Sequence, residues 1–406
     1  NLYRWREDAA PSQIEPVLLM EAEFGVPQWV FRLNTYAFAS PTAMICAYTK
    51  DGLWHLARLD LETNALRPIE THYTSIQNPQ VAPGGDDASP YVVFIGGASK
   101  DAYAVVKRDL ETGEETILRQ SVDLDIDDGY LSLARPVAFP TEHDLTAHGI
   151  FYAPKNKDYA GPADEKPPLL VMIHGGPTGS TSSALDLQLQ YWTSRGFAVL
   201  DVNYGGSTGY GRAYRERLKG RWGVVDVDDC VNGARYLVEQ GLVDGDRLAI
   251  RGGSAGGYTT LSVLTFRDAF KVGASYFGVS DLEALATETH KFESRYLDGL
   301  IGPYPERRDL YLARSPIHHT DELSCPIIFL QGLEDKVVPP NQAEKMVAAL
   351  QDKGIPVAYL AFEGEQHGFR RAENMKRSLE AELYFYAKIL DFELAEPVEP
   401  VDIENL

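Results

Sequence analysis

Hydrophobic and polar positions change their rhythm once along this chain. Residues 1–130 hold short apolar, β-branched and aromatic runs broken by turn formers, a pattern of short strands. Beyond them, longer apolar runs alternate with segments of helical period. The runs 169–174, 197–204, 248–251, 272–279, 326–331 and 356–362 read as strands. Between and after them, 184–195, 225–240, 259–266, 341–353 and 372–391 read as helices. Strands alternating with helices predict a mostly parallel sheet covered on both faces. The polar, Pro/Gly-rich stretch 155–168 reads as a surface loop, and the acidic tail after Leu394 as loosely ordered.

The first part repeats itself. Residues 54–64 and 103–113 both end a strand in Asp-Leu-Glu-Thr followed by Asn64 or Gly113, residues that accept the positive φ of a tight hairpin. Leu2–Trp5 is a weaker echo. A period of about 50 residues with several strands per repeat suggests β-propeller blades. Residues 1–130 hold only two to three of them, whereas propellers close with about four to eight. The expectation is a partial propeller at 1–130, a catalytic domain at 131–406, and a chain that is the C-terminal part of a longer protein.

The run 248–251 leads into Gly252-Gly253-Ser254-Ala255-Gly256-Gly257. A serine among glycines between a strand and a helix is the nucleophile elbow of an α/β-hydrolase. That fold brings an acid and then a histidine from loops after later strands, and both places are filled. Run 326–331 leads into Gly332-Leu333-Glu334-Asp335, and run 356–362 into Glu363-Gly364-Glu365-Gln366-His367. Ser254 is the expected nucleophile, His367 the base and Asp335 the group that orients the imidazole. Glu334 and Asp281 compete for the acid position; His318 and His319 follow no strand. His174-Gly175-Gly176-Pro177 closes the first parallel strand, and the N–H groups of Gly176 and Ala255 are the expected oxyanion donors. The glycine-rich stretch 201–212 has no P-loop or dinucleotide fingerprint and reads as a structural loop near the pocket floor.

Charge and composition narrow the partners. The net charge of −21 argues against nucleic-acid or anionic-membrane binding, and no apolar run approaches the ~18 residues of a membrane span. Cys46, Cys230 and Cys325 have neither disulfide nor metal-ligand spacing, so reduced thiols in a cytoplasmic protein are expected.

The four motifs at 174–177, 203–211, 252–258 and 364–369 together resemble the prolyl oligopeptidase family of serine peptidases, most closely its acylaminoacyl-peptidase and dipeptidyl-aminopeptidase-like branch. The resemblance implies a seven-bladed propeller before an α/β-hydrolase domain, and cleavage of short peptides, without metal or cofactor, at a site between them. It carries the catalytic roles onto Ser254, Asp335 and His367, and the oxyanion roles onto Gly176 and Ala255. Where proline-specific members carry a tyrosine, this chain has His174, which turns the resemblance away from strict proline specificity. Tyr258, Phe277 and the segment 282–296 are the expected substrate pocket. Two other readings stand beside the peptidase: a carboxylesterase using the same triad, and a propeller-based interaction protein with an inactive hydrolase domain. Oligomeric state and side-chain preference are not legible in the residues.

Overall fold

The computed structural model describes residues 1–5, 13–84 and 89–406. Three antiparallel sheets come first. Strands β1 (Leu2–Arg4) and β2 (Glu15–Leu18) form a two-stranded ribbon. Next, β3 (Tyr36–Ser40), β4 (Ala43–Lys50), β5 (Leu53–Asp60) and β6 (Leu66–Ile69) pair in chain order. So do β7 (Ser75–Ala82), β8 (Tyr91–Ala98), β9 (Asp101–Asp109) and β10 (Glu115–Gln120).

The repeated hairpins are the last hairpin of each four-stranded sheet, and they close identically. Asp60 Oδ1 accepts from the N–H groups of Glu62 (3.0 Å) and Thr63 (2.8 Å); Asp109 Oδ1 accepts from Glu111 (2.8 Å) and Thr112 (2.7 Å). Asn64 at φ 58° and Gly113 at φ 78° then reverse the chain. The two sheets share one core, in which Ile45, Ala47 and Leu56 of the first meet Ile76, Val92, Phe94 and Val106 of the second. Met44, Cys46 and Tyr48, alternating with these along β4, pack instead with Val17 and Phe24. Strand β4 is thus covered on both faces, which is why its run is apolar from Ala43 to Tyr48.

An eight-stranded mixed sheet follows, in the order β11-β12-β14-β13-β15-β16-β17-β18. Its strands are β11 (Arg135–Thr141), β12 (Leu145–Tyr152), β13 (Leu169–Ile173), β14 (Ala198–Asn203), β15 (Leu248–Gly253), β16 (Val272–Tyr276), β17 (Ile327–Gly332) and β18 (Val357–Phe362). Strand β12 runs antiparallel to both neighbours, and β13 to β18 are parallel. The helices are α1 (Leu187–Thr193), α2 (Arg212–Arg215), α3 (Val225–Glu239), α4 (Ala255–Phe266), α5 (Leu282–Glu288), α6 (Tyr296–Leu300), α7 (Arg308–Ala313), α8 (Asn341–Asp352) and α9 (Ala372–Ile389). One face of the sheet packs on α3, α4 and α8 through Leu169, Val171 and Ile173; the other packs on α1 and α9 through Leu170.

After β13 the chain adds β14 on one side and then crosses to β15 on the other. Such a reversal opens a crevice at the carboxyl ends of the two strands, the usual place for a ligand in an open α/β sheet. His174–Pro177 leaves β13 there, and Ser254 leaves β15.

The elements differ from the sequence pattern at a few ends. Helix α4 begins at Ala255, not at 259, and β16 stops at Tyr276, because Phe277 turns the chain at φ 41°. Helix α1 starts only at Leu187, where Asp186 caps it by accepting from Gln188 and Leu189 N–H. The acidic tail is fixed, against expectation. Glu404 exchanges two backbone hydrogen bonds with Val357, Val401 is buried, and Arg377 donates to the carbonyls of Glu399 and Pro400.

The N-terminal sheets are tied to the α/β part. Glu23, only 4% exposed, accepts from Gly209 N–H (2.6 Å) and Gly211 N–H (3.0 Å) and pairs with Arg215 (2.7 Å). The Tyr103 hydroxyl joins Ser75 and Ser182, and Thr74 meets Ser183.

Candidate active site

Three backbone segments pack so closely at the end of β15 that only glycine fits. A Cβ on Gly252 would stand 2.3 Å from the Gly256 carbonyl oxygen, and one on Gly256 2.3 Å from that of Ile173. A Cβ on Gly257 would stand 2.5 Å from Gly278 Cα. These contacts press α4 against β15, against the end of β13 and against the turn after β16, so the chain must turn within one residue. Ser254 makes that turn at φ 56°, ψ −120°, a conformation a side chain tolerates only when its surroundings hold it. Its N–H donates to Tyr276 O, and its carbonyl already accepts from Tyr258 N–H in the first turn of α4. The Oγ is left projecting into the crevice.

His367 reaches it from the loop after β18. Its Nε2 lies 2.8 Å from Ser254 Oγ, and its Nδ1 lies 2.8 Å from Asp335 Oδ2. Asp335 is 4% exposed, in the loop after β17, and its other oxygen accepts from Val337 N–H (2.8 Å) and Val338 N–H (2.9 Å). The two carboxylate oxygens therefore play different parts, with Oδ1 anchoring the group and Oδ2 facing the imidazole. Glu365 secures the histidine loop, accepting from Arg370 N–H, Arg371 N–H and Asn374 Nδ2. Burial opposes its ionisation, but those hydrogen bonds, led by that from Asn374, hold its carboxyl below the usual range. The competing acids lie elsewhere. Glu334 is exposed, and Asp281 caps α5.

Gly176, at φ 122°, and Ala255 both line the cavity that holds Ser254. As the first residue of α4, Ala255 has an N–H with no acceptor within the helix. His174 does not point its ring at the oxyanion position. Its Nδ1 bonds to Gly175 O (2.8 Å), its Nε2 to Ser207 Oγ (2.7 Å), and it stacks on Tyr204. Burial lowers its pKa to about 4, so the ring is neutral and braces the glycine loop.

The cavity, about 980 Å³, is walled by Phe277, Val279, Leu285, the segment from Thr289 to Leu297, Trp222, Val337 and Val338. Phe277, expected in the pocket, is there and meets the His367 ring at 4.9 Å. Tyr258 is not. It lies on the inward face of α4, fully buried beneath Trp222, with its hydroxyl on Arg314 O. Residues 201–212, expected near the pocket floor, line a neighbouring cavity through Asn203, Thr208, Gly209 and Tyr210 and dock on Glu23. Trp29 and Trp222 were not legible as pocket residues, since neither belongs to a strand-end motif.

Fold and site together define a class. Residues 183–393 match the prolyl oligopeptidase family, and the chain belongs to that family of serine peptidases. Among curated relatives, it is 34% identical over 249 residues to dipeptidyl aminopeptidase BIII of Pseudoxanthomonas mexicana, covering 59% of this chain and 36% of that protein. It is 30% identical over 217 residues to the acylamino-acid-releasing enzyme of Arabidopsis thaliana, covering 51% of this chain and 28% of the relative. Among solved structures, a puromycin-hydrolyzing peptidase of Mycobacterium tuberculosis superposes with a TM-score of 0.91 at 44% identity, over 98% of this chain and 59% of that one. A puromycin hydrolase gives a TM-score of 0.89 at 41% identity, over 96% and 58%. The chain thus spans about a third of the length of these curated relatives and about three-fifths of these structures. Among the described residues, no helix is long and apolar enough to cross a membrane.

Proposed function

We propose that this chain carries the catalytic machinery of a peptidase acting on short peptides through an acyl-enzyme on Ser254. The observation that carries this reading is the unbroken hydrogen-bond order Ser254–His367–Asp335 at the turn after β15. His367 Nε2 takes the Ser254 proton as Oγ attacks the peptide carbonyl, then gives it to the leaving amine. Asp335 holds the proton on Nδ1 and balances the imidazolium as it forms. The N–H groups of Ala255 and Gly176 receive the oxyanion. Water then repeats the cycle on the ester. No metal or cofactor enters these steps.

The apolar part of the lining, formed by Trp222, Phe277, Val279, Leu285, Val337 and Val338, supports an apolar side chain on the residue whose carbonyl is attacked. An aminopeptidase or acylaminoacyl-peptidase activity is in keeping with the relatives' names. The two four-stranded meanders are in keeping with blades of a partial propeller at residues 1–130, before a catalytic domain at 131–406. Such blades would restrict the site to short peptides, a filter that small esters do not need.

The test compares initial rates on free and N-acylated aminoacyl 4-nitroanilides with rates on 4-nitrophenyl esters. Anilide hydrolysis lost in Ser254→Ala supports the peptidase. Ester turnover without anilide turnover replaces it with a carboxylesterase, and no turnover of either removes both.

A further inference from the structure

We propose that Trp29, supplied by the N-terminal part of the chain, determines specificity in the Ser254 cleft and is held there by a hydrogen-bonded chain through Thr178 to Tyr296. The inference rests on Ser254 acting as the nucleophile, as proposed for the function. Two cavities meet at this tryptophan. One is the 980 Å³ cavity of Ser254; the other, about 440 Å³, lies between the N-terminal sheets and the stretch from His174 to Ser183. Trp29 and Gly175 line both, so the indole and this piece of backbone form the partition.

The contact with the reacting region is direct. Trp29 Cζ2 lies 3.3 Å from where a Cβ on Gly176 would stand, so the ring covers the open side of that glycine. Its Nε1–H donates to Thr178 Oγ1 at 3.1 Å, and Thr178 Oγ1 lies 2.6 Å from the Tyr296 hydroxyl. A threonine hydroxyl has one proton and two lone pairs, enough to accept from the indole and still bond the phenol. Tyr296 opens α6 and lines the same cavity. Two residues beyond Trp29, Phe31 meets Phe292 edge to face at 5.7 Å. One turn of N-terminal chain therefore touches both the Gly176 backbone and the wall formed by the segment before α6.

The consequence is selective. An indole fixed through its N–H is already ordered before substrate arrives, so covering an apolar group with it costs little further entropy. Trp29 is 42% exposed and lines both cavities. A substrate side chain long enough to reach the partition is covered by it; a short one is not. The N-terminal part thereby does more than limit access, because it places a side chain in the cleft.

The experiment measures inactivation of the full chain by two fluorophosphonates, one bearing an ethyl group and one a phenylbutyl group. Trp29→Ala lowers the rate constant for the phenylbutyl reagent about tenfold, the loss that follows when roughly 50 Å² of apolar contact disappears. The rate for the ethyl reagent falls much less. Trp29→Phe keeps a ring but has no N–H, and Thr178→Val removes the acceptor. Each gives a smaller drop in the phenylbutyl-to-ethyl ratio, and the double variant drops no further than either alone. A ratio unchanged in Trp29→Ala overturns the proposal, as does an equal fall for both reagents, which marks a loosened site rather than a lost wall. An unaltered chain that neither reagent labels overturns the nucleophile reading and this one with it.

Discussion

Replacing Asp335 by asparagine separates the two roles of this side chain. The new residue keeps the Oδ1 that accepts from Val337 and Val338 N–H, so the loop after β17 stays anchored. At the other position, 2.8 Å from His367 Nδ1, an acceptor becomes an NH₂ donor. The imidazole must then offer Nδ1 as an acceptor and carry its proton on Nε2, which faces Ser254 Oγ. A protonated Nε2 cannot take the serine proton. In serine hydrolases this change of tautomer costs about 10⁴ in kcat, or about 5.4 kcal/mol of barrier. Asp335→Ala loses the same activity but also strands the buried Val338 N–H, at about 1–3 kcal/mol, and the half-buried Val337 N–H. The assay is kcat on an anilide or, failing that, an ester, together with thermal unfolding. The expected result is an asparagine variant with a near-unchanged midpoint and an activity at or below about 10⁻³ of the original, beside an alanine variant that also melts lower. Activity within about tenfold of the original in Asp335→Asn would refute the role given to this residue.

Other outcomes follow from the same geometry. Gly256→Ala puts a Cβ against the Ile173 carbonyl, and a shift of α4 by about 1 Å costs on the order of 10²-fold in kcat with about 1–3 kcal/mol of stability. Gly161→Ala, with nothing within 4 Å, changes stability by no more than about 0.5 kcal/mol; equal effects at the two sites would contradict the close approach. Asp226 is fully buried against Thr259 and the Gly223 N–H, and burial raises its pKa from 3.8 to about 6. Between about pH 4 and 6 the folded chain therefore keeps a proton that the unfolded chain has released, and stability declines as pH rises through that window. Asp226→Asn removes the decline, and denaturant unfolding should show its advantage over the original growing by about 2–3 kcal/mol from about pH 4 to 7; a shrinking advantage would reverse the sign. Glu365→Ala leaves three donors around the His367 loop unpaired, so unfolding should cost several kcal/mol less with kcat reduced, whereas an unchanged kcat would show that the loop needs no such anchor.

The chemistry was legible because it is local. An elbow, an acid loop and a histidine loop each announce themselves by glycines and a preceding strand, and Ser254, Asp335 and His367 come together as those positions require. The hairpin repeats were legible for the same reason: Asp-Leu-Glu-Thr followed by Asn or Gly fixes a turn without outside help. What was missed depends on distant partners. Gly256 and Gly257 are poor helix formers, in keeping with an expected start of α4 at 259, yet their lack of Cβ is what lets α4 begin at Ala255 against β13 and the turn after β16. Tyr258 reads as a pocket residue from its place beside the elbow, but the helical rotation turns it into the core. Trp29 lies 225 residues before the nucleophile (254 − 29), in a turn of no marked pattern, and nothing local assigns it to the cleft.

The central claim is that Ser254 is the activated nucleophile of the Ser254–His367–Asp335 array. Treatment with a fluorophosphonate, followed by intact mass and peptide mapping, tests it most directly. One adduct per chain, on Ser254, absent in Ser254→Ala and strongly slowed in Asp335→Asn, is the predicted result. An unmodified chain, or an adduct on another residue, would contradict it.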